Sequence, residues 1–159
     1  MPSCKIILGG PEVSFDSRGM MEENPAIDIV VRGEGEETFF ELIQSGLNGD
    51  SLEEIKGITY RRENSIYQNE DRPVMRDLDK IPFPYDVDEN GNIKGPDNRI
   101  LYYETSRGCP FNCQYCLSSQ TPGVRYFSME KVERDIKTFI KSGVKQVKLV
   151  DRTFNCNPS

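Results

Sequence analysis

Twice within its first 46 residues the chain runs a short apolar segment into glycines and then into a helical pattern. "CKIILGG" (Cys4–Gly10) stops at Gly9, Gly10 and Pro11, and a helical stretch is expected over Ser17–Glu23. "AIDIVVRGEGEE" then offers a second apolar strand, Ile27–Val31, ending in Gly33 and Gly35. The helix after it carries Phe39, Leu42 and Ile43 at helical spacing, acidic residues in its first turn and Gly46 as a candidate C-cap. Strand, glycine turn and helix in alternation define an α/β chain, and that order implies parallel strands.

The pattern then changes twice. Ile58 and Tyr60 alternate with polar residues, Glu63–Ser65 can turn the chain, and Ile66 and Tyr67 can return it as a hairpin. Residues 72–98 hold four prolines and no sustained periodicity, so they read as a linker whose "IPFPY" is tacked down by aromatics. Regular structure resumes with the strand-like "RILYYETS". The clearest helix follows further on, with Met129, Val132, Ile136, Phe139 and Ile140 on one face, Ser128 at its start and Gly143 at its end. Val144, Val147 and Leu149 then alternate into another strand, which makes residues 99–159 one βαβ unit. A full (β/α)₈ barrel takes roughly 250 residues, so the 159 residues read as a piece of something longer.

Composition narrows the chemistry. No run of about 18 apolar residues exists, so a membrane-spanning helix is not expected. The N-terminus lacks the pattern of a signal peptide, which places the chain in the cytoplasm, where thiols stay reduced. Residues 1–100 carry 21 acidic and 11 basic side chains, against 5 and 9 in residues 101–159. The basic part lacks a Lys/Arg stripe interleaved with aromatics, so no nucleic-acid partner is expected. There is no histidine, so neither the commonest general base nor the commonest nitrogen ligand is available.

What remains is thiol chemistry. Three of the five cysteines, Cys109, Cys113 and Cys116, crowd one stretch with gaps of three and two residues; Cys4 and Cys156 stand apart. A disulfide scaffold fits poorly with a reduced compartment and an odd count. Structural zinc would need a fourth ligand, for which Cys156 is the candidate, although zinc sites usually show two paired knuckles. Chance clustering of structural cysteines is the bland reading. An iron–sulfur cluster suits three thiolates on one loop, with the fourth iron left open to a substrate or cofactor.

"CPFNCQYC" resembles the CxxxCx(aromatic)C signature of the radical S-adenosylmethionine (radical SAM) superfamily, with Tyr115 at the aromatic position and a strand ahead of it. The resemblance implies that Cys109, Cys113 and Cys116 bind three irons of a 4Fe–4S cluster and that S-adenosylmethionine chelates the fourth. Electron transfer would then cleave it to methionine and a 5′-deoxyadenosyl radical. Tyr115 would lie near the adenine, and Asp151, at the end of the second strand, is the candidate for the amino group, where the family commonly has Gly-Gly-Glu.

The first half resembles the end of the cobalamin-binding Rossmann-like domain that precedes such barrels in one subfamily. "IILGGPEVSF" would place Gly9 and Gly10 near the corrinoid's nucleotide tail, and "DLDKIPFPYD" resembles the connector into the barrel. The expected organisation is therefore residues 1–71, the C-terminal part of a Rossmann-like domain with a β-hairpin; 72–98, a linker; and 99–159, the N-terminal part of a radical SAM partial TIM-type barrel with the cluster loop. The expected function is cobalamin-linked methyl transfer or radical rearrangement on an unknown substrate by the parent protein, with flavodoxin or ferredoxin as reductant. The chain alone is expected to be inactive because its SAM pocket is incomplete. The alternative is a non-catalytic zinc-binding or Rossmann-like ligand-binding module.

Overall fold

The structure, a computed structural model, describes residues 4–95, 99–117 and 123–156. The outermost residues of the first and last expected domains, and residues 96–98 of the expected linker, lie outside them. The chain divides into two units, one ending at Met75 and the other starting at Arg76.

The first unit is a four-stranded sheet in the order β1 (Ile7–Gly9), β2 (Ile29–Val31), β3 (Ile58–Arg62), β4 (Ser65–Gln68). β1 and β2 run parallel with Gly9 opposite Val31, while β2–β3 and β3–β4 are antiparallel. The sheet is therefore mixed. The expected hairpin forms across Glu63–Asn64 and adds its two strands to the same sheet. β2 explains why both faces are covered, because alternate residues along a strand point to opposite sides. Ile29 and Val31 pack with Leu42, Ile55, Ile58 and Tyr60 on one face. Val30 faces the other way, into Val13, Met21 and Ile27. Helices α1 (Pro11–Ser14) and α2 (Ser17–Glu23) supply that second face, and α3 (Glu36–Asn48) the first.

The end of α3 differs from its sequence reading. The helix passes through Gly46 and stops at Gly49, whose φ of 75° is the left-handed turn and whose N–H bonds the Ser45 carbonyl. Its buried positions are Thr38, Leu42 and Ser45, whereas Phe39 and Ile43 are exposed. Polar anchors explain this. The Thr38 hydroxyl donates to the Lys56 carbonyl at 3.2 Å and accepts from Arg72 Nε at 2.7 Å, and Ser45 donates to the Asp50 carbonyl at 2.9 Å.

The second unit is built on a parallel pair, β5 (Leu101–Tyr103) and β8 (Val147–Leu149), joined through α4 (Met129–Lys141). Between β5 and α4 lies an antiparallel pair that the sequence did not announce, β6 (Ser106–Cys109) with β7 (Gly123–Tyr126). Leu101, Tyr103 and Phe139 form the core, with Phe83, Tyr85, Ile93, Val132, Val144 and Val147 against it. "IPFPY" belongs to this core: Phe83 and Tyr85 set their rings against Phe139 at 5.4 and 5.9 Å. The Tyr85 hydroxyl also donates to the Tyr102 carbonyl and accepts from its N–H, both at 2.6 Å.

α4 begins and ends as expected. Ser128 Oγ accepts from the Lys131 N–H, and Gly143 turns left-handed with φ of 64°. Its expected apolar face is corrected. Met129, Ile136 and Ile140 are exposed, and Lys131, Asp135 and Phe139 are buried. The charged pair goes inside because its members satisfy each other and Tyr103. Lys131 Nζ lies 3.2 Å from Asp135 Oδ2, which accepts from the Tyr103 hydroxyl at 2.9 Å.

Candidate metal centre

The cysteine stretch leaves the sheet at the end of β6. Gly108 permits this exit, for its φ is 98° and a Cβ there would lie 2.1 Å from the Gly123 carbonyl oxygen of β7. Cys109 is the last residue of β6 and pairs with Gly123. The chain then carries Cys113 and Cys116, with a turn in which the Cys116 N–H bonds the Cys113 carbonyl at 3.1 Å. Cys109 and Cys113 are half-buried and Cys116 is exposed; none of the five cysteines is in a disulfide. Tyr115 is 92% exposed, and Phe111 and Leu117 beside it are exposed too.

Thiolates are the donors that iron–sulfur clusters take, and three on one short loop, none consumed by a disulfide, fit such a cluster chemically. Among the described residues no three His, Cys, Asp or Glu side chains converge closely enough to hold a metal ion. Cys109, Cys113 and Cys116 thus share a loop without forming a closed cage. Cys156, the candidate fourth zinc ligand, instead lies 3.1 Å from the Tyr126 hydroxyl. That contact and burial hold the Tyr126 phenol above its usual value, the thiol being the larger cause.

Asp151 stands two residues beyond β8 and faces the same corner. Its Oδ1 accepts from the Thr105 N–H at 3.1 Å and from the Thr105 and Ser106 hydroxyls, each at 2.6 Å. Its Oδ2 takes one longer contact, 3.2 Å from the Thr105 N–H. Thr153 sets its hydroxyl 3.3 Å from the Cys109 sulfur. The sequence reading singled out the cysteines and Asp151 but not their neighbours here, Thr105, Ser106 and Thr153. The only available signal was that Thr and Ser recur at the two strand ends that flank the cysteine loop.

In the first unit the two glycine turns lie side by side at the carboxyl ends of the parallel strands. Gly10 has φ of 106° and Gly33 φ of 72°, and nothing lies within 4 Å of where their Cβ atoms would be. Ser14 ties the turns together, donating to the Gly10 carbonyl at 2.7 Å and accepting from the Gly33 N–H at 3.2 Å. Gly9 is in ordinary contact with Val31. The carboxyl ends of parallel strands are where open α/β sheets bind ligands.

Strand, cysteine loop, helix and parallel strand, in that order, define an α/β unit that carries three thiols on one loop. Residues 103–159 match the model of the Radical SAM superfamily. An uncharacterized methyltransferase of Pyrococcus horikoshii is 37% identical over 156 residues, covering 96% of this chain and 34% of the relative. An anaerobic magnesium-protoporphyrin IX monomethyl ester cyclase of Synechocystis sp. is 31% identical, covering 87% of this chain and 27% of its own length. Among solved structures, the cobalamin-dependent S-adenosylmethionine radical enzyme OxsB, with aqua-cobalamin and S-adenosylmethionine bound, superposes with a TM-score of 0.67. It is 24% identical and covers 94% of this chain and 21% of that one. Residues 103–159 are thus similar to the radical SAM superfamily, and the chain has an α/β fold with mixed sheets, similar to that of cobalamin-dependent radical SAM enzymes. It spans about a third of the length of the first of these relatives. No helix among the described residues is long and apolar enough to cross a membrane.

Proposed function

We propose that this chain is the cluster-binding portion of a cobalamin-dependent radical SAM enzyme, and that the enzyme's reaction is methyl transfer or a related radical rearrangement. The observation that carries this reading is the placement of Cys109, Cys113 and Cys116 on one loop, none of them in a disulfide, between the parallel strands of a βαβ unit. Those three residues would hold a 4Fe–4S cluster. Such a cluster, when bound, supplies one electron to S-adenosylmethionine and so generates a 5′-deoxyadenosyl radical.

The other residues divide by unit. Tyr115, whose ring is free in solvent, is assigned to the adenine, and Asp151, whose Oδ2 keeps accepting capacity, to the amino group. Gly9 and Gly10 are assigned to the nucleotide tail of cobalamin, because a glycine turn at a strand's carboxyl end lets a ligand approach the backbone. The domain assignment follows the same lines: residues 1–71 as the end of a Rossmann-like cobalamin-binding domain, 72–98 as a connector and 99–159 as the start of a partial barrel. A small reductant protein of the flavodoxin or ferredoxin kind would deliver the electron. The methyltransferase relative favours methyl transfer, and the cyclase relative keeps radical rearrangement in play.

Anaerobic reconstitution tests the reading. About four irons and four sulfides per chain, with broad absorbance near ~400 nm, are expected. Cys109→Ala, Cys113→Ala and Cys116→Ala should each abolish that absorbance, while Cys156→Ala should leave it intact. One tightly held zinc per chain, lost on replacing Cys156, would overturn the proposal in favour of a zinc module. Iron content indifferent to Cys113→Ala would leave a ligand-binding fold alone.

A further inference from the structure

The corner that delivers Cys109 is held from the far end of the βαβ unit. Asp151 accepts three hydrogen bonds on one carboxylate oxygen, two from Thr105, just ahead of β6, and one from Ser106, which begins it and is 4% exposed. Three residues further along β6, the Cys109 sulfur meets the Thr153 hydroxyl at 3.3 Å. Both contacts bridge more than 40 residues of sequence and leave from the same short loop after β8. One fixes where the strand starts, and the other touches the sulfur with which it ends.

We propose that the loop after β8 is the positioning element for the Cys109 corner, Asp151 fastening the start of β6 and Thr153 donating a hydrogen bond to the Cys109 sulfur that raises the reduction potential of the cluster it holds. The proposal rests on the assignment of Cys109 as a cluster ligand. A ligating sulfur is a thiolate and carries no proton, so in this pair the hydroxyl must be the donor. Hydrogen bonds to the sulfurs are among the factors that set cluster potentials. A donor stabilises the reduced form more, because that form carries the extra negative charge. Asp151 acts one step further back. Without it, the Thr105 N–H and two hydroxyls lose their common acceptor, and the strand that aims Cys109 is freed at its origin.

Two measurements test the two contacts separately. In the reconstituted protein, a redox titration followed by electron paramagnetic resonance should place Thr153→Val at a more negative midpoint than wild type, with Thr153→Ser restoring the wild-type value. Equal midpoints for wild type and Thr153→Val, at equal iron content, would overturn the role of Thr153. In the cluster-free protein, amide hydrogen exchange at Thr105 should run about tenfold faster in Asp151→Ala. Asp151→Asn, the milder change, should move it the same way by less. Unchanged exchange in both variants would overturn the clamp. Failure of the wild type to take up iron would sink the cluster assignment and the tuning of its sulfur together. The exchange result would still decide the clamp.

Discussion

Gly108 decides whether Cys109 can stand where it does. Any side chain there meets the Gly123 carbonyl oxygen at 2.1 Å and must also adopt a φ of 98°. Gly123 has φ of 84° but open space around it, so it isolates the backbone term from the clash. We expect Gly123→Ala to cost about 1 kcal/mol from conformation alone. Gly108→Ala should cost more, because the β6–β7 pair must part, and should lower iron uptake as well. Thermal melts and iron-to-protein ratios of the two variants check this, and equal effects would remove the clash from the account. At this scale the cysteines were legible because their chemistry needs particular atoms at close sequence spacing. Thr153 and Ser106 were not, because their meaning lies in partners 44 and 45 residues away.

Among the elements, α4 shows what a helical pattern does and does not determine. Its limits were legible, since a serine cap and a left-handed glycine act locally. Its buried face was not, because Lys131 and Asp135 read as surface charges until Tyr103 of β5 is placed against them. The same holds for α3, where Thr38 is buried by the company of Lys56 and Arg72. β6 and β7 escaped notice because "SRGC" and "GVRY" are short and carry almost no apolar alternation. The Lys131–Asp135 pair also yields a prediction. Removing one partner of a buried pair strands the other charge, so Lys131→Met should destabilise the protein by about 3 kcal/mol. Replacing the whole group, as Lys131→Met, Asp135→Leu and Tyr103→Phe together, should recover most of that loss, since no buried charge or hydroxyl is then left unpaired and Arg134, which also lies 3.8 Å from Asp135, is exposed. Chemical denaturation of the two variants tests it. A triple variant weaker than the single one would mean that the network contributes net stability.

Across the whole molecule, groups in both units tie stability to pH from two sides. Asp28 lies below its ordinary 3.8, held mainly by the side-chain bond from Lys5, which outweighs the opposing effect of burial. Asp79 is lowered by its bonds from Ser128, and Asp88 chiefly by the backbone N–H of Asn92. A carboxyl held low stabilises the fold above its unfolded value, and that contribution disappears as the pH falls through the folded value. Tyr60 and Tyr103 lie above their ordinary 10.0, burial being the first cause for both, with the bond to Asp135 adding to it at Tyr103. A phenol held high contributes fully below its unfolded value and loses that contribution as the pH climbs toward the folded one. Asp28 and Tyr60 belong to the first unit; Asp79, Asp88 and Tyr103 belong to the second. Both units should therefore lose stability at each end, with a plateau between about pH 5 and 9. Melting followed by circular dichroism from pH 2.5 to 11 gives the profile, and Tyr103→Phe should flatten its alkaline limb. An alkaline limb unchanged by Tyr103→Phe would show that the loss above pH 10 comes from elsewhere in the molecule.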